Sequence, residues 1–445
     1  MTRSTRLSYR GASCDCTRRV KSISFSDAPL NPSQKVSEVD ERETREPDTY
    51  DAEKEVGRGR LGCESDQNPV ETPEEGYRGD YPDKPSEHTY RTRRLYITLN
   101  PASRIRPFQE ADPRTRRMED DTHENVVPGS DEEVDAPDVR GYDFRDGFDL
   151  SAMLDAYATT GFQATHLAEA VDICERMRDD DATVYLTFTS NIVSSGLREA
   201  VAYLVREGHV DVVITTSGSV AEDVIKTEKP FKMGDWDADE AELRDRGINR
   251  LGNIYVPSDR YVWLEEYLYD FFDDFFADER VRTPSEFCAE LGERLDDPDS
   301  VLKQSADNDV PVYCPALTDA EVGNFLYYYR QRDDAHDGVG IEILDDYEAL
   351  IDDGLLADTT GLIAVGGGVP KHHAIMTNLF RGGADYAVYV STGMEGDGSL
   401  SGAPPDEAVS WGKIRSEDET NYTQVQAEAT LVLPLLIAGA FAEDS

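Results

Sequence analysis

The stretch TVYLTFTSNIVSSG (183–196) joins a short β-branched and aromatic run to a cluster of Ser, Asn and Gly, and its reading decides the fold. TVYLTFT (183–189) reads as a buried strand, and SNIVSSGLREAVAYLVREG (190–208) as the turn and helix that follow it. The same pairing recurs along the chain. VDVVITT (210–216) leads into TTSGSVAED (215–223), GLIAV (361–365) into GGGVPKHH (366–373), and YAVYV (386–390) into STGMEGDGS (391–399). VPVYC (310–314) and QVQAEA (424–429) are further strand-like runs. Helical spacing runs over 151–177, broken at Thr160-Gly161, and over 259–276, 285–294, 320–331 and 371–380. Strands alternating with helices predict an α/β fold, a mostly parallel sheet with helices on both faces.

Ligands of such folds bind beyond the carboxyl ends of the strands. Four of those places are rich in Ser, Thr and Gly: 189–196, 215–223, 366–373 and 391–399. Residues of this kind let backbone N–H groups face a phosphate at a helix start, although any one tight turn needs Gly anyway. Four on one edge point to a dinucleotide site. The GxGxxG fingerprint is absent from all four turns, so they by themselves license no standard dinucleotide fold.

The chain has 445 residues, the length of two or three domains at most, and a formal net charge of −46. Its charge is unevenly spread. Residues 1–117 carry 22 Lys+Arg and 21 Asp+Glu, which leaves 23 basic and 70 acidic residues in 118–445. Only six of those 23 are lysines: Lys226, Lys229, Lys232, Lys303, Lys371 and Lys413. Such a surface repels itself in dilute buffer, and molar salt, with a Debye length of ~3 Å, removes most of the repulsion. The composition reads as adaptation to a salt-rich cytoplasm, as in halophilic archaea, and it excludes unspecific nucleic-acid binding, which needs a basic surface.

Residues 1–136 show no sustained period and read as a disordered, low-complexity extension, with RTRRLYITLNPASRIRPF (91–108) its only strand-like stretch. Their different charge balance points to a start called too early, with Met118 as a candidate true start. Six cysteines without paired CxxC spacing make neither a disulfide scaffold nor a zinc site, and Cys14 and Cys16 are too close together for more. There is no signal-like h-region, and the apolar run Ala429–Phe441 is too short for a bilayer and interrupted by Pro434. A cytoplasmic protein without a membrane segment is the expectation.

Two places carry candidate chemistry. His372 and His373 follow Pro370 at a helix start; adjacent histidines diverge, and HxxxH spacing is missing, so joint metal ligation is disfavoured. A structural hydrogen bond is the ordinary role of such a histidine, and the glycine turn beside it also suits a general base. Lys413 lies in DEAVSWGKIR (406–415), between Trp411 and Ile414. A lysine in partly apolar surroundings loses its proton more readily and attacks a carbonyl or imine carbon. Lone lysines are ordinarily solvated surface, but here lysine is nearly purged. An indole beside it suits a cationic ligand, with Asp406 and Glu407 as opposite charge.

TSNIVSSG (189–196), TTSGSVAEDVIK (215–226), GNIYVPSDRY (252–261), CPALTD (314–319), VGGGVPKHH (365–373), GADYAVYVSTGMEGDGS (383–399) and PDEAVSWGKI (405–414) closely resemble the deoxyhypusine synthase family, in that family's order. The likeness runs from VRGYDF (139–144) to the C-terminus, which sets a catalytic domain over 137–445 behind the 1–136 extension. It implies a Rossmann-like domain in a homotetramer, with NAD and amine sites at a subunit interface. It implies NAD-dependent removal of hydride from spermidine, passage of the 4-aminobutyl unit to an enzyme lysine as an imine, and then transfer to one lysine of translation initiation factor 5A precursor. By this resemblance Lys413 is the imine-forming nucleophile and His372 the base near the amine. NAD contacts fall at Ser190, Asn191, Ser194, Thr216, Ser217, Gly218, Glu222, Asp319, Gly367, Thr392, Gly393, Glu428 and Ala429. The amine is lined by Glu222, Asn324, His372, Asp397, Gly398, Ser399, Glu407 and Trp411.

The departures cluster. Asn324, Leu400 and Ala221 stand where eukaryotic members of the family have acids that hold the polyamine's nitrogens. An Asn accepts a hydrogen bond without demanding a full ammonium, so agmatine is a variant donor to set beside spermidine. Rival readings are a homospermidine-synthase-like transferase of the same fold, a non-catalytic NAD-binding regulatory subunit, and a purely structural acidic shell protein. An acceptor assay separates the first; retention of Lys413, His372 and Glu407 speaks against the second, and the ordered motif set against the third.

Overall fold

Six of the apolar runs form one sheet in the computed structural model, which describes residues 134–415 and 419–442. The strands are β1 (Thr183–Phe188), β2 (Val212–Ile214), β3 (Val312–Tyr313), β4 (Thr360–Val365), β5 (Tyr386–Val390) and β6 (Tyr422–Val425). All pair in parallel, in the order β3-β2-β1-β4-β5-β6. Thr183 of β1 faces Thr360 of β4, and the register holds through Phe188 and Val365. This is the Rossmann order, whose direction of winding reverses between β1 and β4 and so opens a crevice beyond their carboxyl ends. The expectations for 1–133, including the extension's disorder, the 91–108 stretch, Met118, Cys14 and Cys16, lie outside the described residues.

The strands are followed by helices that cover both faces. Apart from a short one at Glu240–Asp245, the helices in chain order are α1 (Leu150–Tyr157), α2 (Gln163–Asp179), α3 (Ser190–Ser194), α4 (Arg198–Arg206), α5 (Ser217–Glu228), α6 (Asp259–Phe275), α7 (Pro284–Arg294) and α8 (Val301–Asp307). They continue with α9 (Glu321–Arg332), α10 (Leu344–Leu356), α11 (Gly368–Leu379), α12 (Pro405–Ser410) and α13 (Ala429–Ala440). Alternate residues of each strand serve opposite cores. Val184, Leu186 and Phe188 join Ile173 and Met177 of α2, Val201 of α4 and Leu433 of α13. Tyr185, Leu362 and Tyr389 join Leu350 of α10, Ile375 of α11 and Ala408 of α12. Each fully buried Leu or Ile side chain contributes ~1.5–3 kcal/mol, so this two-sided burial is what holds the sheet.

The structure adjusts several boundaries. The 151–177 stretch is two helices that part at the expected Thr160-Gly161 break, whereas 190–208 yields two helices, α3 and α4. The 424–429 run ends as a strand at Val425, where the Gln426 N–H turns to the Gln163 side chain at 2.5 Å, and Glu428 becomes the residue before α13. Helix α11 starts at Gly368, so Pro370 lies in its first turn, where a missing N–H costs nothing. Unforeseen elements include α10 and an antiparallel sheet of Lys232–Met233, Ile254–Pro257 and Ile248–Leu251. Among the described residues no helix is long and apolar enough to cross a membrane.

Candidate active site

The four turns rich in Ser, Thr and Gly all lie at the carboxyl edge, after β1, β2, β4 and β5. Helices α5, α11 and α13 begin there without a side-chain cap, which leaves first-turn N–H groups open to the crevice. Ser217, at the start of α5, is fully buried and its hydroxyl has no hydrogen-bond partner. A Cβ on Gly218 would lie 3.0 Å from that of Ser190, so glycine is what lets the α3 and α5 starts meet. An orphaned buried hydroxyl, open N–H groups and a side chain-free approach are what a dinucleotide phosphate needs. Ser190, Asn191, Ser194, Thr216, Ser217 and Gly218 therefore occupy one region, beyond β1 and β2.

Glu222 is set on this side by its neighbour. Asp223 turns inward, pairs with Arg198 at 2.5 Å and accepts the Ser300 hydroxyl and the Leu302 N–H, each at 2.8 Å. That buried ion pair locks α5, and Glu222 faces the other way, accepting a hydrogen bond from Ser194. Burial raises the Glu222 carboxyl to about 7; Ser194 and Lys226 oppose the rise, and the carboxylate of Glu321 adds to it. Lys226 donates to the carbonyls of Val193 and Ser195, both at 2.8 Å, and so ties α5 to the turn after β1. Asp319 is exposed in the turn after β3. Asn324 is exposed on α9, one turn beyond Glu321, the first residue of that helix. Ala221 is buried in the core.

A second region lies beyond β4 and β5. His372, Gly398, Leu400, Glu407, Trp411 and Lys413 line one cavity of about 510 Å³. The local sequence explains where Lys413 sits. Pro405 opens α12, and Gly412, at φ +70°, closes it in the left-handed conformation. The Lys413 N–H donates to the Ala408 carbonyl and its carbonyl accepts from the Ala384 N–H, both at 3.0 Å. The side chain is 8% exposed, and its ammonium lies 5.3 Å from the centre of the Trp411 ring. Partial desolvation, aided by the Lys413 ammonium, keeps the His372 pKa below the usual imidazole value, which favours a neutral, base-competent ring. His373 points elsewhere, against Tyr347 with ring centres 5.1 Å apart, and burial followed by His372 lowers it to about 4. It takes the structural role that the sequence left open for either histidine.

Asp397, Gly398 and Ser399 form the turn beside this cavity; the Asp397 carboxylate accepts the Ser399 N–H at 2.7 Å, and hydrogen bonds from Ser399 hold its pKa low. Thr392 is exposed in the turn after β5. Gly393 borders a neighbouring polar cavity of about 400 Å³ with Gln163, His166 and Glu395. Gly367 precedes α11, while Glu428 and Ala429 mark the start of α13.

The single chain thus brings Lys413, His372, Glu407 and Trp411 together but leaves Glu222 and Asn324 outside their cavity. Sequence reading passed over Lys371, Tyr389 and Pro404, which line it too, and over Glu321. The scarcity of lysine was a usable sign for Lys371; nothing local marked Glu321, because acids are everywhere in this chain.

Comparison with known proteins shows the family. The deoxyhypusine synthase family model matches residues 152–440. A Halobacterium salinarum "probable deoxyhypusine synthase" is 77% identical over 323 residues, covering 72% of this chain and 97% of the relative. The relative of the same description from Thermococcus gammatolerans is 44% identical over 328 residues, covering 70% and 97%. A solved structure of a candidate deoxyhypusine synthase from Entamoeba histolytica superposes with a TM-score of 0.50 at 26% identity, covering 68% of this chain and 96% of that one. The chain belongs to the deoxyhypusine synthase family, in its haloarchaeal form, and is an enzyme of the transferase class.

Proposed function

We propose that this member of the family transfers a 4-aminobutyl group, with NAD, from spermidine to one lysine of translation initiation factor 5A precursor, the first step of hypusine formation. The observation that carries the reading is the convergence of buried Lys413 with His372, Glu407 and Trp411 in one cavity. NAD supplies a hydride acceptor and later returns the hydride. Ser217, Gly218 and the open N-termini of α5 and α11 are the groups that hold it, together with the other residues assigned above. The chain's own work is to bind, orient and move protons. His372 takes the proton released as the donor amine is oxidised. Lys413, once its ammonium has given up a proton, adds to the imine carbon, and the donor's remaining arm leaves as a free amine, so a new C=N bond to Lys413 replaces the old one. The acceptor lysine displaces Lys413 in the same manner. Glu407 and the Trp411 face hold the ammonium end of the donor.

Glu222 and Asn324 serve the same amine from a second copy of the chain in a homotetramer, with the site completed across the interface. Glu321 then supplies a carboxylate close to the position where Asn324 lacks one. Agmatine is the second donor to test, because its guanidinium suits an amide acceptor better than an ammonium does. Residues 137–445 are the catalytic domain, and the acidity of 118–445 is a cytoplasmic salt adaptation.

The test is a trap in molar KCl. The protein is incubated with NAD and spermidine, and in parallel with NAD and agmatine, then reduced with borohydride and mapped by mass spectrometry. An NAD-dependent 4-aminobutyl adduct on Lys413 is the expected result, and the productive amine identifies the donor. Folded, NAD-bound protein that yields no adduct from either amine overturns the reading.

A further inference from the structure

We propose that Lys371 is a positioning residue for the amine cavity, its ammonium holding the turn after β5 in the shape that closes the cavity over Lys413 and His372. The side chain leaves α11 at the residue before His372 and is 2% exposed. Its ammonium donates to the Ala403 carbonyl at 2.9 Å and the Leu400 carbonyl at 3.1 Å. It also lies 3.9 Å from the centre of the Tyr389 ring, on β5. Among the described residues no carboxylate pairs with it, and its partners there are dipoles and a ring face. Burial lowers its pKa to about 8, against the opposing pull of Glu407, and an amine that has lost its proton still has two N–H bonds for two carbonyls.

The clamped turn has little other freedom. The Ser391 hydroxyl donates to the Ser401 carbonyl at 3.0 Å, and the Gly368 N–H donates to the Ser401 hydroxyl at 3.2 Å. A Cβ on Gly402 would come within 2.1 Å of the Met394 carbonyl oxygen. The turn is therefore pinned to β5 and to the start of α11, and Lys371 fixes its two sides, Leu400 and Ala403, which are walls of the cavity. Removing the ammonium leaves two carbonyls to find other donors. The turn then opens away from His372 and Lys413.

This inference rests on reading the cavity as the amine site, so its test has one arm that does not depend on catalysis. Amide hydrogen exchange of residues 391–404 is measured in the wild-type protein and in K371M, which keeps the length and apolar stem of the side chain. Exchange in that turn rises on the order of tenfold, as expected when hydrogen bonds from a charged donor are lost, while 190–194, beyond β1, stays unchanged. The second arm compares the amine KM with NAD affinity: KM rises about tenfold, NAD affinity holds, and K371R, which keeps the donors, restores most of the loss. K371Q, too short to reach both carbonyls, carries the same expectation if K371M does not fold. Unchanged exchange in the turn overturns the proposal whatever the activity shows, and so does a loss spread equally over NAD affinity and amine KM. Absence of any Lys413 adduct in the wild-type protein strikes the functional reading alone, because the exchange arm still decides the role of Lys371.

Discussion

Beyond β1 and β2, Lys226 reaches from α5 to the carbonyls of Val193 and Ser195; beyond β4 and β5, Lys371 reaches from α11 to those of Leu400 and Ala403. The two halves of the carboxyl edge use the same device, an ammonium, half-buried in Lys226 and buried in Lys371, tying a helix to a neighbouring turn. Burial lowers the pKa of both lysines. What the halves hold differs. The first presents Glu222 near Glu321, with hydroxyls and open N–H groups around them. The second presents an amine, an imidazole and an indole around a cavity. On the proposed function, the first half accepts cations and phosphates and the second performs nucleophilic chemistry. In a chain almost stripped of lysine, three of the six lysines after residue 118 are placed in this edge as Lys226, Lys371 and Lys413.

That division can be broken from either side. The largest effect is expected in the second half: K413A abolishes the trapped adduct and lowers turnover on the order of a thousandfold or more while NAD still binds, measured by single-turnover assay and titration. A K413A protein that keeps its turnover would place the nucleophile elsewhere. H372Q is expected to lower kcat about a hundredfold or more, the contribution of a lost general base. Because the His372 pKa lies below its usual value, the wild-type ring is neutral at neutral pH and activity falls only as acid protonates it. The acidic limb of the pH–rate profile should disappear in H372Q; its persistence would assign that limb to another group.

The first half sharpens the comparison through affinity. E321Q removes a carboxylate that raises the Glu222 pKa, so Glu222 should ionise at lower pH than its present value of about 7. The amine KM of the wild-type protein is expected to fall as pH rises through about 7, since Glu222 gains the charge that attracts an ammonium. In E321Q that transition moves to lower pH, while the limiting KM at high pH rises by roughly severalfold from the lost attraction. A transition that stays in place would separate Glu321 from the amine. The smallest effect concerns neither half: a chain beginning at Met118 should match the full chain in turnover and melting temperature, and a large loss would give the preceding residues a role in the enzyme.

Much of this edge was legible in advance because short β-branched runs ending in Ser, Thr and Gly have few other uses. The buried strands and the motifs after them follow from local chemistry alone. Boundaries were less so: α10 is rich in acid and fully buries only Leu350 of its large apolar residues, and the 424–429 run reads as a strand until the Gln163 side chain draws off the Gln426 N–H. Of the two histidines, spacing could not choose; only packing against Tyr347 separates His373 from His372.

The sequence by itself determined the fold class, the family, and Lys413 as the residue to watch. Those depend on periodicity and on ordered motifs, which are properties of neighbours along the chain. Only the tertiary structure decided that the Lys371 ammonium meets the Leu400 and Ala403 carbonyls, that Glu321 influences Glu222, and that Glu222 lies apart from the Lys413 cavity. Each of these depends on distance and burial between residues remote in sequence. A charge's effect is set by what surrounds it in space.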